Sequence, residues 1–229
     1  MSLDAKIMQA QELLAGIAAG FPAAALANSL GAEDMVLMDL TVRAGVPLAV
    51  FCLDTGRLPA ETYDLLARLS GAYPQHPVEV WVPEHGGVQA YVAQFGINGF
   101  YDSVAARQAC CAARKLEPLG RALAGRGAWV TGLRRTQSVT RSALAVREDD
   151  PVNGLVKFSP LADWSEAEVW EYVHRFSVPY NALHDRHYPS IGCAPCTRAV
   201  AVGEDVRSGR WWWENPESKE CGLHVKAVS

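Results

Sequence analysis

The sequence contains no run of ~18 consecutive apolar residues, the length a helix needs to cross a bilayer, so no membrane-spanning segment is expected. It also lacks a basic excess: 21 Lys and Arg stand against 25 Asp and Glu, a formal net charge of -4. That balance argues against a broad electrostatic footprint, so neither nucleic acid nor a membrane is expected as a partner. Any anionic ligand must be gripped by a local cluster of cations. The stretch MSLDAKIMQAQELLAGIAAGF has no basic start, apolar run and cleavage site of a signal peptide, which leads to the expectation of a cytoplasmic protein. Neither GxxxxGK(S/T) nor GxGxxG occurs, so a P-loop ATPase or a dinucleotide-binding dehydrogenase has no support. Cysteine is scarce, with six residues in 229. In a reducing compartment those thiols argue for metal binding or catalysis before disulfides.

What is present reads as a globular α/β chain, with 49% hydrophobic and 20% charged residues. Short apolar runs, AAALANS (23–29), PLAVFCL (47–53), VEVWV (78–82) and AWVTGL (128–133), read as buried strands. EDMVLMDLTVRAG, PAETYDLLARLSG and RQACCAARKLEPLGRAL, with apolar positions recurring at three and four, read as helices between them. This alternation predicts a mainly parallel sheet flanked by helices, whose ligands sit beyond the carboxyl ends of the strands. Two loops fall at such ends. In NSLGAED, Ser29 and Gly31 permit a tight turn, Glu33 and Asp34 suit a first helical turn, and exposed amides are placed to receive a phosphate. In LDTGRLPAET, Asp54, Thr55 and Gly56 form a second turn before a helix. Simple helix capping explains either loop alone; two together suggest a nucleotide pocket. Further on, SPLADWSEAEVWEYVHRF carries a capping box, Ser165 with Glu168, followed by a loop-rich stretch.

The cysteines fall into three sets. Cys52 lies in an apolar strand and reads as a buried small hydrophobe. Cys110 and Cys111 are adjacent on a helix, a poor geometry for a disulfide, and Cys193 and Cys196 form a CxxC in a Gly/Pro turn. Joined, these four supply the thiolate count of a [4Fe-4S] cluster or of an all-thiolate zinc site. Spacing leaves the two open, together with a zinc site in which His184 and His187 join the CxxC. Basic residues concentrate near these features: Arg114 and Lys115, Arg134, Arg135 and Arg141, and Arg207 and Arg210. Solvated charge is one explanation; an oxyanion pocket gripped by guanidinium groups is the other. Cys221, in SKECGLHVKAVS, has Lys219 and His224 as cationic neighbours that would lower its pKa and activate it.

NSLGAED, LDTGR, ACCAARKLEPL, TGLRRTQSVTRS, YPSIGCAPCTR, VRSGRWWWE and ECGLH together resemble the assimilatory adenylylsulfate (APS) reductases that carry an iron-sulfur cluster, within the phosphoadenylylsulfate (PAPS) reductase family. The likeness spans about residues 28–224, with the motifs in family order. It implies an adenine nucleotide α-hydrolase-like fold over 1–205, binding nucleotide and cluster, with a mobile C-terminal tail over 206–229 that carries the nucleophile. It implies reduction of APS to sulfite and AMP, with thioredoxin or a glutaredoxin-like protein as reductant, in a chain expected to form a homo-oligomer. By the same resemblance Cys110, Cys111, Cys193 and Cys196 ligate a [4Fe-4S] cluster and Cys221 is the catalytic nucleophile. Ser29, Gly31, Leu53, Thr55 and Gly132 would line the nucleotide pocket; Lys115, Arg141, Arg207, Arg210 and His224 would hold the phosphosulfate. PAPS reductases share the nucleophile motif but lack both cysteine pairs, so the pairs favour the APS branch. The chain departs from the usual pattern at Asn28 and Leu30, where Ser and Phe are expected, and at Pro59 and Ala60.

The implied chemistry is a displacement at sulfur by Cys221, followed by thioredoxin attack that releases sulfite. Lys115, four positions after Cys111, is expected on the same helix face, coupling cluster electrostatics to the sulfate. Two other readings have a stated basis: an ATP-dependent sulfurtransferase of the same fold, which would need an SGGxDS-type loop, and a zinc-bound redox-sensing module.

Overall fold

The computed structural model describes residues 1–138 and 141–215. It divides into two compact units. The first comprises Met1–Cys52, Ala60–Glu79 and Gly125–His184; the second comprises Leu53–Pro59, Val80–Ala124 and the chain from Asp185.

The first unit is built on a six-stranded sheet ordered β3-β2-β1-β4-β6-β5. Its strands are β1 (Ala25–Ala27), β2 (Ala49–Leu53), β3 (Val78–Trp81), β4 (Ala128–Val130), β5 (Arg147–Asp150) and β6 (Leu155–Phe158), with Leu53 of β2 and the second half of β3 lying beyond the unit. β1 pairs in parallel with β2 (Leu26 opposite Val50) and with β4 (Leu26 opposite Val130), β4 pairs in parallel with β6, and β5 runs antiparallel beside β6. The expected parallel α/β architecture is therefore present. The chain winds outward from β1 to β3 and returns on the other side of β1 as β4, which makes the β1/β4 gap the switch point where open α/β sheets bind ligands.

Helix α1 (Leu3–Gly20) starts at Ser2, whose Oγ accepts the Ala5 amide, and turns Ala10, Leu14 and Ile17 inward at helical spacing. α2 (Ala32–Arg43) buries Met35 to Thr41 without a break, as a helix covered on more than one side must. α3 (Ala60–Ala72) contributes Leu65 and Leu69, and α7 (Glu166–Phe176) contributes Val169, Tyr172 and Val173. The predicted capping box of α7 forms: Ser165 Oγ accepts the Glu168 amide and the Glu168 carboxylate accepts the Ser165 amide. Cys52 joins this aliphatic core, 2% exposed, as expected of a small hydrophobe. Asp39, buried under the core, accepts hydrogen bonds from Tyr172 (2.7 Å), Tyr73 (3.1 Å) and Arg43 (2.5 Å). Both oxygens of that carboxylate are thus hydrogen-bonded, which is what makes its burial tolerable.

One expectation differs from the outcome, and strand β5 had no counterpart among the expected runs. VEVWV, read as a buried strand, is the sheet's edge, with Glu79 and Val80 exposed. β5, whose sequence is REDD, carries no apolar period because it is an edge strand; its charges keep that edge soluble.

The second unit has less regular structure: α4 (His85–Phe95), α5 (Val104–Cys111), a π-helical turn (Ala112–Leu116) and α6 (Glu117–Leu123). No helix among the described residues is long and apolar enough to cross a membrane.

Candidate functional site: strand-end loops and a thiol centre

At the carboxyl end of β1 the chain makes a turn that Asn28 organises. Its Oδ1 accepts the Leu30 amide (2.8 Å), and its Nδ2 points at the sulfurs of Met38 and Met35 (3.4 and 3.7 Å). This Asx turn supports Leu30 at φ +65, a conformation a branched side chain adopts at a cost of about 1–3 kcal/mol. The exchange of Ser for Asn at position 28 thus has a local role. Gly31 then caps α2, and the Asp34 carboxylate, in the first helical turn, reaches back over the loop. It accepts the Ser29 amide (2.8 Å), the Ser29 hydroxyl (2.5 Å) and, from the loop after β4, the Gly132 amide (2.8 Å). The Ser29 amide expected to await a phosphate is therefore occupied by the chain's own carboxylate. Burial raises the Asp34 carboxyl to about 6, against the lowering by the Ser29 bonds; Glu33 raises it further and the Gly132 amide lowers it.

Glu33 extends the same link, accepting from Arg134 Nε and Gln137 Nε2, both at 2.9 Å, while Arg141 donates to Gln137 Oε1 (2.6 Å). Arg134 was expected among anion-gripping cations; its guanidinium instead pairs with Glu33, 5% exposed, and Arg135 pairs with Asp163 and donates to the Leu144 carbonyl. Both arginines hold the β4 loop to its surroundings.

The second unit holds the four paired cysteines. Ser103 caps α5, accepting the Ala106 amide, and the helix delivers Cys110 and Cys111 at its last two positions. The CxxC forms a 3-10 turn (Ala194–Cys196) in which the Cys196 amide donates to the Cys193 carbonyl. The loop LDTGR is packed onto it: Thr55 Oγ1 lies 3.3 Å from Cys193 Sγ, and the Ala194 amide donates to the Arg57 carbonyl (2.8 Å). Gly56, at φ +68, leaves room for Arg114, which donates to the Thr55 carbonyl. All four cysteines line one space of about 360 Å³, partly open to solvent, with Arg57, Arg107, Arg114, Lys115 and Trp211 also in its wall.

Each of the four is reduced and at most 9% exposed. Burial pushes the Cys110 thiol up and Cys196 up to about 12, with Cys193 adding to both; Arg114 and Arg57 oppose the shift at Cys110, and Lys115 and Arg210 oppose it at Cys196. Ionising several of these thiols therefore requires a compensating positive group. Among the described residues no three His, Cys, Asp or Glu side chains stand ready to hold one metal ion. Four thiols around a shared void supply the ligand number of a cluster or of an all-thiolate zinc site.

Lys115 reaches the same wall as Cys111, although a π turn, which the sequence reading did not foresee, replaces the expected continuous helix. π turns recur at functional sites because they re-aim side chains. Arg210 is 7% exposed, with its guanidinium 4.7 Å from the Trp211 ring centroid and its Nε without a partner. Arg107 also lies 4.6 Å from the Trp211 ring centroid and pairs with Glu214 (2.6 Å), both side chains almost wholly buried. Arg57 and Arg107 went unremarked in the sequence, and Trp211, with Trp212 and Trp213, stood out there only as the apolar exception in a polar stretch. Arg107 had a signal, its spacing of three and four before the cysteine pair.

Of the expected nucleotide and phosphosulfate contacts, Ser29, Gly31, Gly132 and Arg141 lie in the first unit, and Leu53, Thr55, Lys115, Arg207 and Arg210 in the second. Thr55 is 1% exposed and directed at Cys193. Arg207 donates its amide to Asp205 and accepts the Arg210 amide. Cys221 and His224, and the expected tail beyond Asn215, lie outside the described residues.

Residues 23–199 match the family described as the phosphoadenosine phosphosulfate reductase domain. The chain is 56% identical to an adenosine 5'-phosphosulfate reductase of Allochromatium vinosum over 97% of its own length and 87% of that protein's. It is 51% identical to one of Burkholderia cepacia, over 99% and 90%. Among solved structures, a PAPS reductase from Candida auris superposes with a TM-score of 0.72 at 27% identity, covering 86% of this chain and 96% of that one. Yeast FAD synthetase superposes with a TM-score of 0.57 at 14% identity, over 86% and 67%, a likeness of fold alone.

Proposed function

The chain belongs to the phosphoadenosine phosphosulfate reductase domain family, and we propose that within it the chain reduces adenosine 5'-phosphosulfate to sulfite and AMP, serving sulfate assimilation. One observation carries the choice of this branch. Both cysteine pairs, distant in sequence, line a single void walled by Arg57, Arg107, Arg114 and Lys115. Cys110, Cys111, Cys193 and Cys196 would hold a [4Fe-4S] cluster there, the ligand number and thiolate chemistry being right. When bound, that group supplies the positive core that lets buried thiols ionise and fixes charge and position beside Lys115, with no electron transfer assigned to it. The Trp211 Nε1–H and the Arg114 Nε–H are buried without partners, as donors toward a bound anionic group would be before it arrives.

In the proposed reaction the Cys221 thiolate attacks the sulfur of the sulfate group. A sulfur–sulfur bond forms, the sulfur–oxygen bond to the phosphate breaks, and AMP leaves with the electron pair. A reduced thioredoxin thiolate then attacks Cys221 Sγ, displacing sulfite; its second thiol resolves the mixed disulfide and frees Cys221. Sulfate sulfur gains two electrons and the dithiol becomes a disulfide, so the balance closes without another oxidant. The nucleophile and substrate are both anionic, and cations such as Lys115, Arg207, Arg210 and His224 would lower that barrier. Ser29, Gly31, Leu53, Thr55 and Gly132 would line the nucleotide, and Arg141 would join the grip on the phosphosulfate.

Incubation with APS and no thioredoxin tests the nucleophile. One AMP per chain and a sulfonate on the Cys221 peptide by mass spectrometry are expected, with neither in Cys221→Ser. Turnover by Cys221→Ser would refute the assignment. Iron and acid-labile sulfide analysis tests the cluster; one zinc per chain in place of iron and sulfide would refute it.

A further inference from the structure

We propose that Asp34 is the positioning residue of the nucleotide site: it locks the loops after β1 and β4 to each other and makes Ser29 Oγ an acceptor for a nucleoside N–H or O–H group. The inference rests on the nucleotide reading above. Its own ground is the place and bonding of the carboxylate. Ser29 follows β1 by two residues and Gly132 follows β4 by two, so the pair flanks the switch point of the sheet. Asp34 Oδ2 takes the amide and hydroxyl protons of Ser29 and Oδ1 takes the Gly132 amide, one carboxylate spanning both loops. Gly132 fits this contact closely, since a Cβ there would fall against Asp34 Oδ1 and within 2.8 Å of Glu33 Cβ.

The chemistry of the pocket follows from that bonding. Once its proton is committed to Asp34, the exposed Ser29 hydroxyl offers only lone pairs. A phosphate oxygen finds no donor there and meets the negative charges of Asp34 and Glu33. The exocyclic amine of adenine or a ribose hydroxyl finds an acceptor. The end of the nucleotide at Ser29 is therefore the adenosine end, and an anion is held by other groups. Glu33 is the charged neighbour on the same helix, and Arg134, from the β4 loop, neutralises it. Above about pH 6 the carboxyl is ionised and accepts from both loops at once.

The test is equilibrium binding of AMP to the full chain by calorimetry, with wild type, Asp34→Asn, Ser29→Ala and the double variant, from pH 5 to 8. Asp34→Asn, of equal size but a poor acceptor for both loops, is expected to weaken AMP at least tenfold at pH 7.5 while the visible absorbance and the far-UV circular dichroism hold. Ser29→Ala weakens it severalfold, and the double variant is no weaker than Asp34→Asn alone. The wild-type advantage over Asp34→Asn shrinks as pH falls through about 6, a difference in which the titration of the AMP phosphate cancels. Equal AMP affinity of wild type and Asp34→Asn at every pH overturns this inference alone. A wild-type chain that binds neither AMP nor APS overturns it together with the nucleotide reading. If Asp34→Asn fails to fold, Ser29→Ala decides by itself: unchanged affinity overturns the inference.

Discussion

The two units bury charge in opposite ways. In the first, carboxylates are the costly groups and the chain meets them largely with neutral donors, hydroxyls of Tyr73 and Tyr172 at Asp39 and backbone amides at Asp34, with Arg43 added at Asp39 and Arg134 at Glu33. In the second, the costly groups are guanidiniums and thiols, stacked on indole and clustered so that each moderates the other. The first arrangement makes rigid loops at strand ends and suits recognition of a neutral, hydrogen-bonding nucleoside. The second leaves a cationic wall with unpartnered N–H groups, suited to an anionic centre and an anionic substrate. The same hydrogen-bonding chemistry serves two ends because the sign of the buried charge differs.

Cys193→Ser breaks this contrast most severely. Loss of iron and of sulfite production is expected, by iron analysis and sulfite assay, while AMP affinity by calorimetry falls less than either, because Ser29, Gly31 and Gly132 lie in the first unit and Leu53 and Thr55 in the second. Next comes the ion pair of Arg107 and Glu214, whose side chains are 1% and 4% exposed. Arg107→Ala strands a buried carboxylate and is expected to cost about 3–5 kcal/mol in denaturant unfolding, the range for breaking a buried pair. Asp34 gives a pH signature in the first unit. Its folded pKa of about 6 stands above the ordinary 3.8, so its contribution to stability is full below about pH 4 and is lost as pH rises through about 6. Relative to wild type, Asp34→Asn should therefore gain stability across that window, by up to about 3 kcal/mol at ~1.4 per pK unit, and level off above it. Smallest is Tyr172→Phe, which removes one of three donors from Asp39 and should cost about 1.5–3 kcal/mol, the range for a bond to a charged group, read by thermal or denaturant melts.

The helices and parallel strands were legible because apolar period and length carry them; α2, α3, α7 and strands β1, β2 and β4 lie within a few residues of the expected runs. β5 was not, because an edge strand of charged residues has no apolar period, and the π turn was not, because it depends on packing rather than on composition. At the site, CC and CxxC announced a four-thiol centre, and the fold places all four on one void. The role of Asp34 was hidden: in sequence it is an acidic residue in a first helical turn, and only the approach of the β4 loop makes it a bridge. Arg134 and Arg135 misled for the converse reason, since their acidic partners Glu33 and Asp163 lie far off in sequence.

The central claim is tested most directly by anaerobic sulfite release from purified full-length chain with reduced thioredoxin, APS against PAPS. The account predicts sulfite and AMP in equal amounts from APS, at a rate well above that from PAPS, and none from Cys221→Ser. Sulfite from PAPS at a rate equal to or above that from APS, or none from either, would contradict it.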